Sequence, residues 1–222
     1  MDLHQLVLEK TKGFKGVYRF TKAKLERPEH FALNDQITAL RNKLTKAYEL
    51  VEQAKAGKDW GLYFGLVKQF ENEYGDEAQE LQHLIRHLNR ICKTEVVIVE
   101  NLVPTVGRTM IANNLTDATP TDVMLINKAE LGSGVTAPAN GDTALQTPVY
   151  RNDVASLTNS SNIAYITAFF NATETTGTYR EAGLYSNGSG TLGNGVLVSR
   201  VAINVTKSSS ETFTIDWQLT IN

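Results

Sequence analysis

The strongest constraint on this chain is a change of texture near Glu95. Before it, apolar residues return every three or four positions among many charges, which is the period of one helix face. After it, apolar runs of strand length are separated by clusters of Asn, Ser, Thr and Gly, the residues of turns. Charge follows the same boundary: residues 1–95 carry 30 Lys, Arg, Asp and Glu, and the longer remainder carries 16. All ten serines and 19 of the 24 threonines lie after residue 95. Glu and Lys suit helix surfaces, whereas Thr and Ser suit strands and their turns, so the chain reads as α+β in sequence order. The expected fold is an N-terminal helical hairpin or small bundle over 1–94, preceded by a short extended arm, and then an antiparallel β-sandwich over 95–222.

Within the first region, Phe14–Phe20 alternates loosely and reads as a short strand or arm, since Pro28 bars a helix from running through it. Asn34 or Asp35 can cap a helix whose face is Ile37, Leu40, Leu44, Ala47, Tyr48 and Val51. Gly57 and Asp59 interrupt it. A second face follows in Trp60, Tyr63, Leu66, Val67 and Phe70, stopped by Gly75, and a third in Leu81, Leu84, Ile85, Leu88 and Ile91. Short connections imply antiparallel packing. Trp60, Tyr63, Phe64 and Phe70 make the second helix apolar around much of its girth, so the stripe of Leu40, Leu44, Val51, Trp60, Tyr63, Phe64, Leu66 and Phe70 is expected to meet a partner.

In the second region, Val96-Val97-Ile98-Val99 lacks alternation and predicts a strand covered on both faces. Pro104 suits the first turn of a short helix reaching Asn113. Further strands are expected at 123–126 and at about 148–157, 162–171, 178–186, 195–206 and 211–221. Residues 132–142 form a turn-rich loop.

Several function classes fall away on composition and spacing. With 22 basic against 24 acidic residues there is no basic footprint for nucleic acid. The single Cys92 rules out a disulfide framework and a cysteine-only zinc site. No apolar stretch reaches 18 residues, and the opening MDLHQLVLEK lacks the pattern of a secretory signal, so a cytoplasmic product that spans no membrane is expected. Gly188–Gly193 matches the dinucleotide fingerprint, but a strand rather than a helix follows it, and a hairpin loop is the simpler reading. Glu80, His83 and His87 share a helix face with no second ligand cluster, and a solvated face explains them. Every serine follows every histidine along the chain, with no nucleophile elbow before a helix. Glu181 and Asp216 could approach across strands, although ion pairs with Arg180 or Arg200 are the plainer alternative. No catalytic residue, metal or cofactor is expected.

The run Glu100–Arg108, continued by Met110–Leu115, resembles a segment of structural proteins of tailed bacteriophages. So do Ile163–Phe170, Arg180–Tyr185, Leu197–Val201 and Thr214–Ile221. An acidic residue before a small-Gly-Leu-aromatic strand, a Gly-rich hairpin, a Leu-x-Ser/Ala-Arg strand and a final alternating Trp strand are similar to the β-domains of tail-fibre and collar-type proteins. The resembling motif is Arg180, Glu181, Gly183, Leu184, Tyr185, Arg200, Asp216 and Trp217. The resemblance, which covers roughly residues 95–222, implies a non-enzymatic virion protein of the tail fibre, collar or baseplate, assembled in the bacterial host cytoplasm. Its implied partners are other virion proteins and copies of itself, a trimer foremost. The alternatives are a capsid decoration or head-fibre protein, and an adhesin for a host-surface glycan that would use Tyr150, Tyr165, Tyr179 and Tyr185.

Overall fold

The computed structural model describes residues 15–57, 60–116 and 124–220. β1 (Lys15–Lys24) decides the architecture, because both of its edges are paired. On one side it meets β2 (Lys93–Glu100), from Val17↔Glu100 to Lys24↔Lys93. On the other it meets β8 (Glu211–Thr220), from Lys15↔Thr220 to Lys24↔Glu211. Tyr18 and Phe20 point to one side of β1 and are buried, as the two-residue period of a strand requires.

The remaining strands are β3 (Ile126–Gly132), β4 (Pro148–Ser160), β5 (Ile163–Phe170), β6 (Gly177–Ser186) and β7 (Val196–Lys207). They join one antiparallel sheet in the order β2-β1-β8-β5-β4-β3-β6-β7. The two end strands approach each other, and Leu102 and Arg200 exchange a pair of backbone hydrogen bonds, each 3.0 Å. The sheet is therefore a nearly closed barrel, which corrects the β-sandwich expected from strand spacing. Spacing along the chain is the same for either fold; closure depends on which strands pair, and here β1 arrives from the N-terminal region to stand between β2 and β8.

The barrel interior is one apolar cluster that includes Tyr18, Phe20, Ile166, Phe170, Leu184, Val201, Phe213 and Trp217. Phe20 stacks on Tyr18 at 5.4 Å and on Phe213 at 5.6 Å.

The helices are an excursion from the sheet between β1 and β2, not a separate N-terminal half. Two helices, not three, occupy this stretch: α1 (Pro28–Ala56) and α2 (Trp60–Ile91). α1 begins at Pro28, six residues before the expected cap, with Pro at the first helical position where its missing N–H costs nothing. Gly75 does not stop α2, because the apolar stripe Tyr63, Val67, Phe70, Tyr74, Ala78, Leu81, Ile85, Leu88 runs past it without a break in period. The helices lie antiparallel, with Tyr48 edge-on to Phe70 at 5.2 Å and Lys43 Nζ 2.6 Å from Glu77. They bury Leu33, Ile37, Leu44, Leu81, Ile85 and Leu88 against Ala23, Ala155, Phe169 and Ala172 of the barrel. None of the helices described is long and apolar enough to cross a membrane.

β2 contradicts the doubly covered strand predicted for 96–99. Val96, Val97 and Ile98 are 43%, 40% and 37% exposed. Among the described residues their strand has a full neighbour only in β1, and apolar side chains on both faces remain open. α3 (Thr105–Thr116) follows and lies on β7, where a Cβ on Gly107 would come within 3.0 Å of the Leu197 carbonyl oxygen. Val123, expected in a strand, lies outside the described residues, and β3 begins at Ile126.

Candidate functional site

Charges are scarce in the β region, and the structure concentrates them on one stretch of barrel wall. Glu181, Gly183 and Tyr185 alternate along β6 with Ala182 and Leu184, which enter the core. Glu181 is 1% exposed, and five donors serve its two oxygens. Oε1 accepts the N–H groups of Gly134 at 3.1 Å and Thr147 at 2.7 Å. Oε2 accepts the N–H of Gln146 at 3.0 Å and both Nε and Nη2 of Arg200, at 3.1 and 2.8 Å. Arg200 in turn donates to Asp142 Oδ2 at 2.5 Å and to the Thr136 carbonyl at 3.1 Å. Burial alone would raise the Asp142 carboxyl, but the Ala139 amide and the Arg200 guanidinium outweigh it and hold it below the ordinary carboxylate range.

This first clasp ties the loop 133–147 to the wall. Its glycines are steric requirements: a Cβ on Gly132 or Gly134 would fall 2.6 or 2.4 Å from Glu181 Oε1. On Gly183 it would meet Leu145 and Leu197 side-chain carbons at 3.0 Å. The loop then reaches Tyr185, whose hydroxyl accepts the Leu145 N–H at 2.9 Å. Burial, reinforced by nearby Glu130, pushes the Tyr185 hydroxyl well above its usual value.

A second clasp adjoins it. Arg151 lies over the Tyr185 ring at 4.4 Å and donates to the fully buried Glu130 at 2.8 Å. Glu130 also accepts the Gly193 N–H at 2.8 Å, while Arg151 donates to the carbonyls of Ser189 and Asn194 at 3.0 and 2.7 Å. The pair thus holds the β6–β7 hairpin, which contains the Gly188–Gly193 run. Left-handed backbone at Asn187, Gly193 and Gly195 closes that turn.

A third polar centre fastens the helices. Arg41 of α1 donates to the Phe169 carbonyl at 2.9 Å and pairs with Glu174 at 2.5 Å. Nearby, Lys207 is 1% exposed and donates to the carbonyls of Ala172, Glu174 and Thr175 at 3.2, 3.1 and 3.1 Å. Burial pushes its ammonium down to about 8.

Of the residues singled out by sequence, the fold unites Glu181, Gly183, Tyr185 and Arg200. Leu184 belongs to the core and Arg180 is exposed beside the clasp. Trp217 is buried in the barrel against Tyr18. Asp216 lies on β8 with β5, β4 and β3 between it and β6, so it does not pair with Glu181 as a carboxylate dyad would require. It accepts the Thr167 hydroxyl at 2.8 Å, and burial raises its carboxyl above the ordinary value.

The helical stripe turns mostly inward: Leu44, Val51 and Tyr63 are buried, and Leu40, Leu66 and Phe70 half-buried, in clusters within this chain. Phe64 is 59% exposed, and the side chain of Trp60 lies outside the described residues. Tyr179 and Tyr185 are buried and cannot stack on a sugar; Tyr150 and Tyr165 are half-buried. Among the described residues no group of three His, Cys, Asp or Glu side chains is placed to hold a metal ion. His83 is exposed on α2 and His87 half-buried. Sequence reasoning missed Glu130, Asp142, Arg151 and Lys207. A signal existed in the six basic residues after position 95, since a charge inside an otherwise uncharged strand is buried only if it has partners.

No family model matches the chain, and searches of curated proteins and of solved structures find no similar protein.

Proposed function

We propose that the chain is a non-enzymatic structural component of a tailed-bacteriophage particle, in its fibre, collar or baseplate, which attaches through one face and presents a rigid barrel. The observation that carries this reading is the saturation of Glu181. Its oxygens receive five N–H donors from its own loop and from Arg200, so the carboxylate is committed to holding backbone and not to exchanging protons with a substrate. Two of the residues that do this, Glu181 and Arg200, belong to the motif that resembles phage β-domains. A barrel whose loops are clamped by buried charge suits a part that must keep its shape while it bears on neighbours.

The test is to purify particles from a bacterium producing this protein and to locate it by mass spectrometry and antibody-labelled electron microscopy. Label at the tail, neck or baseplate is expected. Absence from washed particles overturns the reading, and label spread over the head replaces it with capsid decoration. Sedimentation of the purified chain tests the accompanying proposal of a homotrimer.

A further inference from the structure

The barrel closes at only one end of its seam. Leu102 and Arg200 pair, but among the described residues no backbone pairing joins β2 to β7 beyond them, and the two strand edges part. The direction of the unused groups on β2 follows from those in use. Asn101 donates its N–H to the Gly16 carbonyl of β1, whereas Leu102 bonds to Arg200 on the opposite side. Alternation then turns the N–H and C=O of Ile98, Val96 and Thr94 away from β1 and into the seam.

Across the gap, Lys22 Nζ reaches the Thr206 carbonyl of β7 at 3.3 Å and pairs with Glu95 of β2 at 2.8 Å. Between the edges lies a cleft of about 80 Å³, lined by Phe20, Val97, Val205 and Phe213 with Lys22 and Glu95 among its polar residues. Val97 lines this cleft yet is 40% exposed, because among the described residues no wall covers it.

The geometry points to this seam as an acceptor for an extended polypeptide strand, whose main chain pairs with the β2 edge at Thr94, Val96 and Ile98 while one aliphatic side chain enters the cleft. The chemistry selects this occupant. A row of outward backbone donors and acceptors spaced along a strand is matched by another strand's main chain. The rings of Phe20 and Phe213 are 1% and 0% exposed, so the floor has no aromatic face to offer a sugar or a base, only aliphatic contact. The cleft is about half the roughly 150 Å³ of a cavity that admits a benzene ring, so an aliphatic side chain fits it and an aromatic one does not. Lys22, bonded to Glu95 of β2 and to Thr206 of β7, places a charge at the mouth of this seam, as a charge that blunts an open edge does. The inference concerns binding by the purified chain and stands or falls apart from the virion reading.

The experiment titrates the ¹⁵N-labelled full chain with a capped heptapeptide of alternating threonine and valine, and with the same peptide N-methylated at alternate residues. Slower amide exchange at Val96 and Ile98 is expected with the first peptide alone. Val96→Pro deletes one seam-facing donor without touching the ladder to β1 and should weaken binding about tenfold, the worth of one hydrogen bond. Should that variant fail to fold, Val97→Asp, at an exposed position, serves instead by charging the cleft wall and should also weaken binding about tenfold or more. Equal effects of both peptides, no protection at millimolar peptide, or unchanged affinity in the folded variant would each overturn the assignment.

Discussion

Arg200 sits where three segments meet, and its loss should be felt in all of them. Arg200→Met would remove the cation that Glu181 pairs with in a site 1% exposed and deprive Asp142 of the same partner. Removing one partner of a buried ion pair costs about 3–5 kcal/mol. Urea denaturation should show a loss of that size, with proteolysis first cutting the released loop 133–147. A midpoint close to wild type would mean that the three backbone donors hold Glu181 unaided. Lys207 makes a prediction of opposite sense. Its folded pKa of about 8 lies below the unfolded value near 10.4, so between those limits the unfolded chain binds the extra proton and stability from this group rises with pH. Below pH 8 both states are charged and the burial cost is felt in full. The stability of wild type relative to Lys207→Met should therefore climb between about pH 8 and 10, by on the order of 3 kcal/mol, in parallel denaturation series. A flat difference would show that the carbonyls fully offset that burial.

At the scale of elements, α2 shows tertiary packing overruling a local signal. Gly75 lies inside a helix of 32 residues with nothing within 4 Å of where its Cβ would stand. Glycine there offers freedom to the unfolded chain and no compensating contact, so Gly75→Ala should stabilise by about 0.5–1 kcal/mol, read as a raised thermal midpoint. A lowered midpoint would show that the position needs a bend. β2 carries the reverse lesson. Four apolar residues in a row predict cover on both faces, yet a strand gains cover only from neighbours, and β2 ends the sheet with one. Val99 still packs against the barrel core, while Val96, Val97 and Ile98 stand open beside the seam.

For the whole molecule, the place of β1 makes the two compositional regions interdependent. β1 supplies Tyr18 and Phe20 to the barrel core and occupies the full edge of β8. The fragment 96–222 would lack both, exposing Phe213, Ile215 and Trp217 beside an unpaired strand. It should fail to fold as a soluble monomer, giving neither sharp near-ultraviolet dichroism nor a cooperative melt. A fragment that melts cooperatively would mean that the barrel closes without its N-terminal strand.

Local order was legible in the residues, because period and turn chemistry act over a few residues: among the described residues six strands and three helices lie close to apolar runs that announce them, although Gly75, read as a stop between two helices, lies inside α2. An ion pair of Glu181 with Arg180 or Arg200 was legible too, and the structure forms it with Arg200; Tyr185 entered only through the resemblance. Sequence alone could not say that Lys15–Lys24 pairs with Glu211–Thr220, nearly 200 positions away, and so could not separate a barrel from a sandwich. Nor could it join Asp142 and Arg200, or aim Lys207 at three carbonyls of the 172–175 turn. These depend on which distant segments share a surface, and a pattern repeated every two or four residues carries no information about partners that only closure of the sheet brings together.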